Sequence, residues 1–169
     1  MNKNEKMVIR KIYLQWLQSD IVAHNVNIFR FESDILALKS SGYTTEYEIK
    51  MSVSDFRNDF KKKKYVNTSD YNKQKEYISK HDFIKSGQGA NRFYYCMPIK
   101  VFEKVQNEIP EFAGIVIFIL PKDGVSTNTV VWAKRSAKLI RKDKPDYNEI
   151  KNSILVAMYY KSWNSLNRI

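Results

Sequence analysis

The sequence has very few of the residues that cross-link or interrupt a fold. Its one cysteine, Cys96, excludes an intramolecular disulfide and a thiolate-rich zinc site, and a buried, inert thiol is expected. Two histidines disfavour a histidine-based metal centre. Five glycines and four prolines among 169 residues argue against a long disordered segment. We therefore expect one domain, residues 1–169, large enough to bury a core without cross-links.

Long apolar runs are also missing. No stretch of eighteen apolar residues occurs, so no membrane-spanning helix is predicted. The N-terminal residues lack the apolar core of a secretion signal. These absences predict a soluble, cytoplasmic protein that has no membrane partner.

Acidic residues are in the minority. The chain has 18 Asp and Glu against 29 Lys and Arg, which gives a formal net charge of +11. Such an excess favours binding to a polyanion, of which nucleic acid is the commonest. A genome that is rich in lysine codons would produce the same excess, so the charge favours nucleic acid only modestly.

Hydrophobic periodicity predicts an α/β fold with a central mixed sheet flanked by helices. The expected order is a helix over 5–19, two or three strands over 25–52 that include Phe29 and Phe31 and turn at Gly42, helices over 55–64 and 72–85, a strand over 92–98, a short helix over 99–108, strands over 113–120 and 129–135, and a closing helix. The closing helix is capped by Asp146 and is expected to bury Ile150, Ile154, Ala157 and Met158. The unbroken apolar run over 113–120 predicts a strand that is covered on both faces.

One predicted strand carries charges where a packed strand would carry apolar side chains. Glu46, Glu48 and Lys50 share a face, because side chains alternate along a strand. Tyr47 and Ile49 take the opposite face and can enter the core. Two interpretations are open: the charged face is solvated and its charges pair, which stabilises by about 0.2–1 kcal/mol, or the carboxylates hold a metal ion.

The preceding strand contributes two further acids, Glu32 and Asp34. If the two strands pair as a hairpin, one of these acids approaches Glu48. Adjacent carboxylates repel unless a cation lies between them, and Mg²⁺ prefers oxygen ligands. The backbone carbonyl of Ile49 would complete the set, and Lys50 would orient the attacking water and stabilise charge on a phosphate. The pattern predicts metal-assisted phosphodiester hydrolysis, with Mg²⁺ or alternatively Mn²⁺.

Residues 34–50 resemble the signature of the PD-(D/E)XK nuclease superfamily. In that pattern an acid on one strand precedes an acid–any–lysine triplet on the next, and Asp34, Glu48 and Lys50 match it. The segment EIKMSVSDFRNDFKKKKY is similar to one in small bacterial and phage nuclease-like proteins, some of which are linked to DNA repair. The resemblance covers the element order over 5–120, and its residue matches lie mostly in 34–65 and 92–118.

The resemblance implies a restriction-endonuclease-like fold and a Mg²⁺-dependent deoxyribonuclease. It implies that Asp34, Glu48 and Ile49 are metal ligands and that Lys50 is catalytic. Ser33 stands where the family name has a proline, so the choice of first ligand between Asp34 and Glu32 remains open.

Other residues are candidates for supporting roles. Glu5 and Glu46 are candidate additional carboxylates. Asp55 and Asp59, one turn apart, are interpreted either as helix-end charges that pair with lysines or as supports for the metal site. The tyrosines at 94, 95, 159 and 160 are expected in the core or at its rim.

Two basic stretches are candidate nucleic-acid-binding segments. The first consists of Lys61, Lys62, Lys63 and Lys64 at the predicted end of a helix. The second runs from Lys134, Arg135 and Lys138 to Lys144. An ordinary solvated helix end explains the first equally well. No base-reading motif is visible, so the structure or an end of DNA is the expected target.

Two rival functions remain open from the sequence. A catalytically inactive nucleic-acid-binding module would keep the fold and the charge but would not cleave. An accessory subunit of a phage or repair complex would use the charge against an acidic protein surface. A homodimer that cuts both strands is compatible with the first hypothesis.

Overall fold

The computed structural model describes residues 3–15, 21–66, 76–120 and 129–166. These residues form five helices and eight strands. In chain order they are α1 (Lys3–Gln15), β1 (Ile21–Val26), β2 (Ser33–Leu38), β3 (Thr44–Ile49), α2 (Val53–Asp59), β4 (Lys63–Val66), β5 (Glu76–Ser79), α3 (Lys80–Lys85), β6 (Arg92–Pro98), α4 (Ile99–Val105), β7 (Gly114–Ile119), β8 (Val130–Arg135) and α5 (Tyr147–Leu166). No helix in these ranges is long and apolar enough to cross a membrane.

Six of the strands form one mixed sheet in the order β1-β2-β3-β6-β7-β8. The strands β3, β6 and β7 are parallel, and the remaining neighbours are antiparallel. The strands β4 and β5 form a separate antiparallel pair. The expected architecture of a central mixed sheet flanked by helices is confirmed.

Both faces of the large sheet are covered. On one face α1 packs Val8 and Ile12 against a layer that contains Ile35 and Tyr47. The other face is covered by α2, α3 and α4 over β6 and β7, and by α5 over β1 and β2. The apolar run of β7 is buried on both faces, as predicted, because alternate residues join the two layers.

The β2–β3 hairpin forms as its sequence predicts. Gly42 adopts a φ of 85°, a left-handed conformation that a residue without a Cβ adopts readily. Its N–H donates to the carbonyl of Lys39 at 2.8 Å. The expected strand around Phe29 and Phe31 is wrong, because β1 ends at Val26 and β2 begins at Ser33. The ring of Phe31 packs instead against Phe83 of α3, at 5.7 Å between centroids.

The segment after β3 differs from its predicted helices. The helix α2 is capped by Ser52, whose Oγ accepts from the N–H of Asp55 at 3.1 Å, but it ends at Asp59 rather than at 64. The last lysines of the run enter β4 because their backbone pairs with β5. The prediction of a helix over 72–85 is wrong at 76–79, where the chain forms β5, and α3 begins only at Lys80. Residues 72–75 and 16–20 lie outside the described ranges.

The closing helix α5 begins as predicted, with the N–H of Glu149 donating to Asp146 Oδ1 at 2.8 Å. Ile150 and Ile154 are buried, but Met158 is 44% exposed, which corrects the expected core face. The second half of the helix lies over the edge strand β1, where Lys161 Nζ donates to the carbonyl of His24. An edge strand covers less of a helix than the centre of a sheet does.

Candidate active site

The predicted acids and lysine meet at a cleft between the β2–β3 hairpin and α2. The cleft has a volume of about 240 Å³. Its lining combines carboxylates, lysines and three neutral residues: Ile9, Asn25, Glu32, Asp34, Glu48, Ile49, Lys50, Asp55 and Lys62. Five of these residues were singled out from the sequence as catalytic residues, metal ligands or alternative ligands.

Asp34 lies at the start of β2, opposite Glu48. The pairs Ile35↔Tyr47 and Leu36↔Glu46 define the register, and its continuation places Asp34 across from Glu48. Asp34 Oδ2 accepts from the N–H of Ile49 at 2.6 Å, which fixes the side chain against β3. Burial and the charge of Glu48 raise the pKa of Asp34 to about 6. The approach predicted from the hairpin is therefore present.

Glu48 is held by three ammonium groups. Its Oε1 accepts from Lys50 Nζ at 2.8 Å and from Lys62 Nζ at 2.9 Å, and its Oε2 accepts from Lys80 Nζ at 2.7 Å. Burial alone would raise the pKa of Glu48. The ammonium groups of Lys80, Lys50 and Lys62 outweigh burial and lower it, so the side chain is ionised.

Asp59 is the second carboxylate that positions Lys50. Asp59 Oδ1 lies 2.9 Å from Lys50 Nζ and 2.8 Å from Lys62 Nζ. Its Oδ2 accepts from the hydroxyl of Tyr95 at 2.7 Å, and that hydroxyl is 2.6 Å from His81 Nε2. Burial opposes the charge of Asp59, but the surrounding lysines lower its pKa well below the usual range. The predicted pairing of Asp59 with Lys62 is present, and Asp59 also contacts Lys50. Its role as a support for a metal site stays a prediction.

Lys80 closes the charged group from the side of α3. It is 1% exposed, and its Nζ lies 3.2 Å from Glu46 Oε1 in addition to its contact with Glu48. Burial raises the pKa of Glu46 to about 7, although Lys80 acts in the opposite direction. We call Glu46, Glu48, Asp59, Lys50, Lys62 and Lys80 together the charge cluster.

The interpretation of a solvated charged face is wrong. Glu46, Glu48 and Lys50 are 3%, 1% and 2% exposed. They are buried because β6 continues the sheet beside them, and α2 and α3 cover this face. The charges do pair, but they pair inside the protein, where an unpaired charge would be costly.

The remaining candidate acids occupy different positions. Glu32 is exposed and lines the cleft beside Asp34. Glu46 faces Lys80 and is not part of the cleft lining. Asp55 lines the cleft, and its Oδ2 accepts from the N–H of Met51 at 3.1 Å. The side chain of Glu5 lies outside the described part of the chain.

The cleft residues fit Mg²⁺ in the kind of donor that they offer. Asp34, Glu48 and the carbonyl of Ile49 supply oxygen, which Mg²⁺ prefers. No group of three or more Asp, Glu, His or Cys side chains among the described residues is placed to hold a metal ion. The remaining ligands would therefore be waters, which Mg²⁺ usually retains. Lys62, whose side chain is 44% exposed, is the ammonium group that can most easily leave Glu48 Oε1 to a cation.

The two basic stretches lie in different places. The side chains of Lys62, Lys63 and Lys64 line a groove of about 400 Å³ that adjoins the cleft, and Lys61 is exposed nearby in sequence. The second stretch begins on β8, which is separated from β3 by two strands, or roughly 14 Å in total.

Side chains of the second stretch already have partners. Arg135 donates to the carbonyls of Ala113 and Pro110, and Lys138 pairs with Glu111. Lys134 is exposed. The structure does not bring this stretch to the cleft, and its binding of DNA stays a prediction.

Sequence analysis missed Lys80 and the pair Tyr95–His81. Lys80 is 32 residues from Glu48 along the chain, and its surrounding sequence reads as an ordinary polar helix. Tyr95 was expected in the core or at its rim, and it is fully buried, but its hydroxyl is part of the site. The only available signal was that Tyr95 lies on the strand predicted to join the same sheet.

The chain matches no protein-family profile, and no curated protein is significantly similar to it. Among solved structures, it is similar to a protein of unknown function from Silicibacter pomeroyi, with a TM-score of 0.50 and 14% sequence identity. The match covers 86% of this chain and 76% of that one. At this identity the likeness supports the fold alone.

Proposed function

We propose that this protein is a metal-dependent nuclease that hydrolyses phosphodiester bonds in DNA and selects a structure or an end rather than a fixed sequence. The proposal depends on one observation. Asp34 and Glu48 face each other across β2 and β3 at one cleft, and Lys50 Nζ lies 2.8 Å from Glu48 Oε1. Two carboxylates and a lysine in a cleft are the groups that such a hydrolysis needs.

Asp34, Glu48 and the carbonyl of Ile49 would hold Mg²⁺. When bound, Mg²⁺ supplies Lewis-acid stabilisation of a phosphate and a template for the reacting groups. The hydrogen bond from the N–H of Ile49 keeps Asp34 turned toward β3. This arrangement resembles the signature of the PD-(D/E)XK superfamily, and membership of that superfamily is part of the proposal.

Lys50 is proposed to orient the attacking water. An ammonium group has three N–H donors. Two of them are directed to Glu48 and Asp59, and the third remains for a water or a phosphate oxygen in the cleft. Asp59 is in turn held by the hydroxyl of Tyr95, so the position of the ammonium group is set before substrate arrives.

A catalytically inactive nucleic-acid-binding module is the second candidate. It is favoured by the saturation of Glu48, because both carboxylate oxygens already accept from lysines. In that case the charge cluster serves only to hold α2 and α3 against the sheet. The basic surface would then bind DNA without cleavage.

One experiment separates the two functions. The protein is incubated with linear, single-stranded, nicked and branched DNA in the presence of Mg²⁺, Mn²⁺ or EDTA, beside Asp34→Asn and Lys50→Ala. Metal-dependent cleavage that both substitutions abolish supports the nuclease. No cleavage of any substrate, with binding that weakens steeply as salt rises, supports the binding module.

The variants need matched controls. Lys104→Ala removes an exposed lysine of α4, and Glu111→Gln neutralises an exposed acid that does not line the cleft. Both should cleave like the wild type. Direct binding of Mn²⁺, measured by calorimetry without DNA, should be lost in Asp34→Asn and kept in both controls.

A further inference from the structure

Two exposed tyrosines lie side by side on the small sheet. Tyr65 of β4 and Tyr77 of β5 are directly opposite each other, so their side chains share a face. Their ring centroids are 6.0 Å apart at an interplanar angle of 67°, and the residues are 41% and 58% exposed. Two aromatic rings in solvent offer flat apolar surface that nothing among the described residues covers.

One lysine shares the face of this aromatic pair. Lys63 is two residues before Tyr65 and therefore shares its face, whereas Lys64 points to the other side, where its Nζ lies 5.6 Å from the ring centroid of Phe31. The guanidinium of Arg30 donates to the carbonyl of Tyr65 and ties β4 to the body of the protein. The surface is thus both aromatic and cationic, which suits an anionic ligand with exposed rings.

The surface continues into the candidate active site. Lys63 also lines the groove of about 400 Å³ described above. That groove shares Glu32, Asp34, Glu48 and Lys62 with the cleft. A strand that contacts Lys63 beside the tyrosines can therefore continue along the groove into the cleft.

We propose that Tyr65 and Tyr77 bind the unpaired bases of a single-stranded nucleic acid, while Lys63 contacts its phosphates. Aromatic side chains stack on any base, and lysines follow the backbone without reading sequence. Bases within a duplex are already stacked, so the surface selects unpaired strands. The inference deepens the proposed nuclease by naming its substrate class, and only the route to the cleft rests on that function.

The test measures binding without catalysis. Fluorescence anisotropy in EDTA compares labelled oligothymidylate, oligouridylate and a duplex of equal length. The variant Tyr65→Ala/Tyr77→Ala should bind both single strands at least about tenfold more weakly than the wild type, because stacking on both rings is lost. Its affinity for the duplex should change by less than about twofold.

Two further variants control for folding and for general aromatic loss. Tyr65→Phe/Tyr77→Phe keeps both rings and should bind single strands like the wild type. Tyr159→Ala/Tyr160→Ala removes another exposed tyrosine pair, on α5, with centroids 5.8 Å apart. Because that pair lies on α5 and not on the small sheet beside Lys63, binding should be unchanged.

The outcomes separate the inference from the nuclease. Weakened single-strand binding without any metal-dependent cleavage supports the inference and overturns the nuclease. Unchanged single-strand binding in the alanine variant, or an equal loss for the duplex, overturns the inference even if cleavage is found. If the alanine variant loses affinity only for oligothymidylate, the ligand of this surface is DNA. If it loses affinity only for oligouridylate, the ligand is RNA.

Discussion

The two faces of strand β3 are both buried, but different forces hold them. On one face Tyr47 and Ile49 pack under α1, and each is 6% exposed. On the other face Glu46 and Glu48 are less exposed still, and ion pairs with lysines of three different segments hold them. The same six-residue strand therefore supports an apolar layer and a charged layer.

The charged layer is not what stability by itself would select. Apolar burial stabilises by about 25 cal/mol per Å², whereas burying ions costs solvation that their attraction often only offsets. Replacing a buried ion pair with apolar residues is often neutral or stabilising by about 1–4 kcal/mol. Buried carboxylates with shifted pKa values beside a cleft are instead typical of functional sites. The difference between the faces is thus an argument for function.

The largest effect should come from removing one charge of the cluster. Lys80→Met leaves Glu46 without its ion-pair partner and Glu48 Oε2 without its donor, and it should lower the free energy of unfolding by roughly 3–5 kcal/mol. Urea denaturation followed by circular dichroism measures it. Lys85→Met, on the exposed side of the same helix, should stay within about 0.5 kcal/mol of the wild type. If Lys80→Met is as stable as the wild type, the charged layer does not depend on the ion pairs of Lys80.

The next effect concerns pH. The pKa of Glu46 is raised from 4.5 to about 7 in the folded protein, so the folded state binds this proton more tightly than the unfolded state. The contribution of Glu46 to the free energy of unfolding therefore falls as pH rises from about 4.5 through 7. Glu46→Gln removes this fall. Between pH 4 and pH 8, the free energy of unfolding of the variant should therefore rise relative to that of the wild type by up to about 3 kcal/mol.

Urea denaturation of both proteins across this pH range tests the expectation. Glu103→Gln, at an exposed position of α4, should run parallel to the wild type. If the stability of Glu46→Gln also follows that of the wild type across this pH range, Glu46 is ionised equally easily in the folded and the unfolded state.

A smaller effect is expected on the apolar face. Ile49→Val removes one buried methylene and should lower the free energy of unfolding by about 0.5–1.5 kcal/mol. The proposed contribution of Ile49 to metal binding is its backbone carbonyl, so Mn²⁺ affinity should not change. Denaturation and Mn²⁺ calorimetry on the same sample check both statements. A large loss of Mn²⁺ affinity would show that the two faces are not independent.

The smallest effect should come from the exposed lysine. Lys62 Nζ lies 2.9 Å from Glu48 Oε1, and its side chain is 44% exposed. Lys62→Ala should remove one of the two ammonium groups on this oxygen and tighten Mn²⁺ binding by about threefold, in line with a partly solvated ion pair. Electron paramagnetic resonance of free Mn²⁺ during a titration without DNA measures it. If Lys62→Ala binds Mn²⁺ more weakly than Lys61→Ala does, Lys62 does not compete with the cation for Glu48.

The sequence was sufficient where a feature depends on near neighbours. Alternation predicted which residues of β3 share a face, and Gly42 predicted the hairpin that places Asp34 opposite Glu48. The helical spacing of Phe56 and Phe60 was also predicted correctly, and their ring centroids are 5.1 Å apart. That spacing gave no sign that the helix ends at Asp59 and that the chain then enters β4. A run of lysines carries no periodic signal that separates a helix end from a strand.

The sequence by itself determined the β2–β3 hairpin and the facing of Asp34, Glu48 and Lys50, because these follow from side-chain alternation and one glycine turn. Only the tertiary structure decided that the charged face is buried and that Asp59, Lys80 and Tyr95 complete it. Those residues come from α2, α3 and β6, and their contacts form only when the helices pack on the sheet. Contacts between residues distant along the chain leave no local pattern, so the charge cluster appears only in the folded protein.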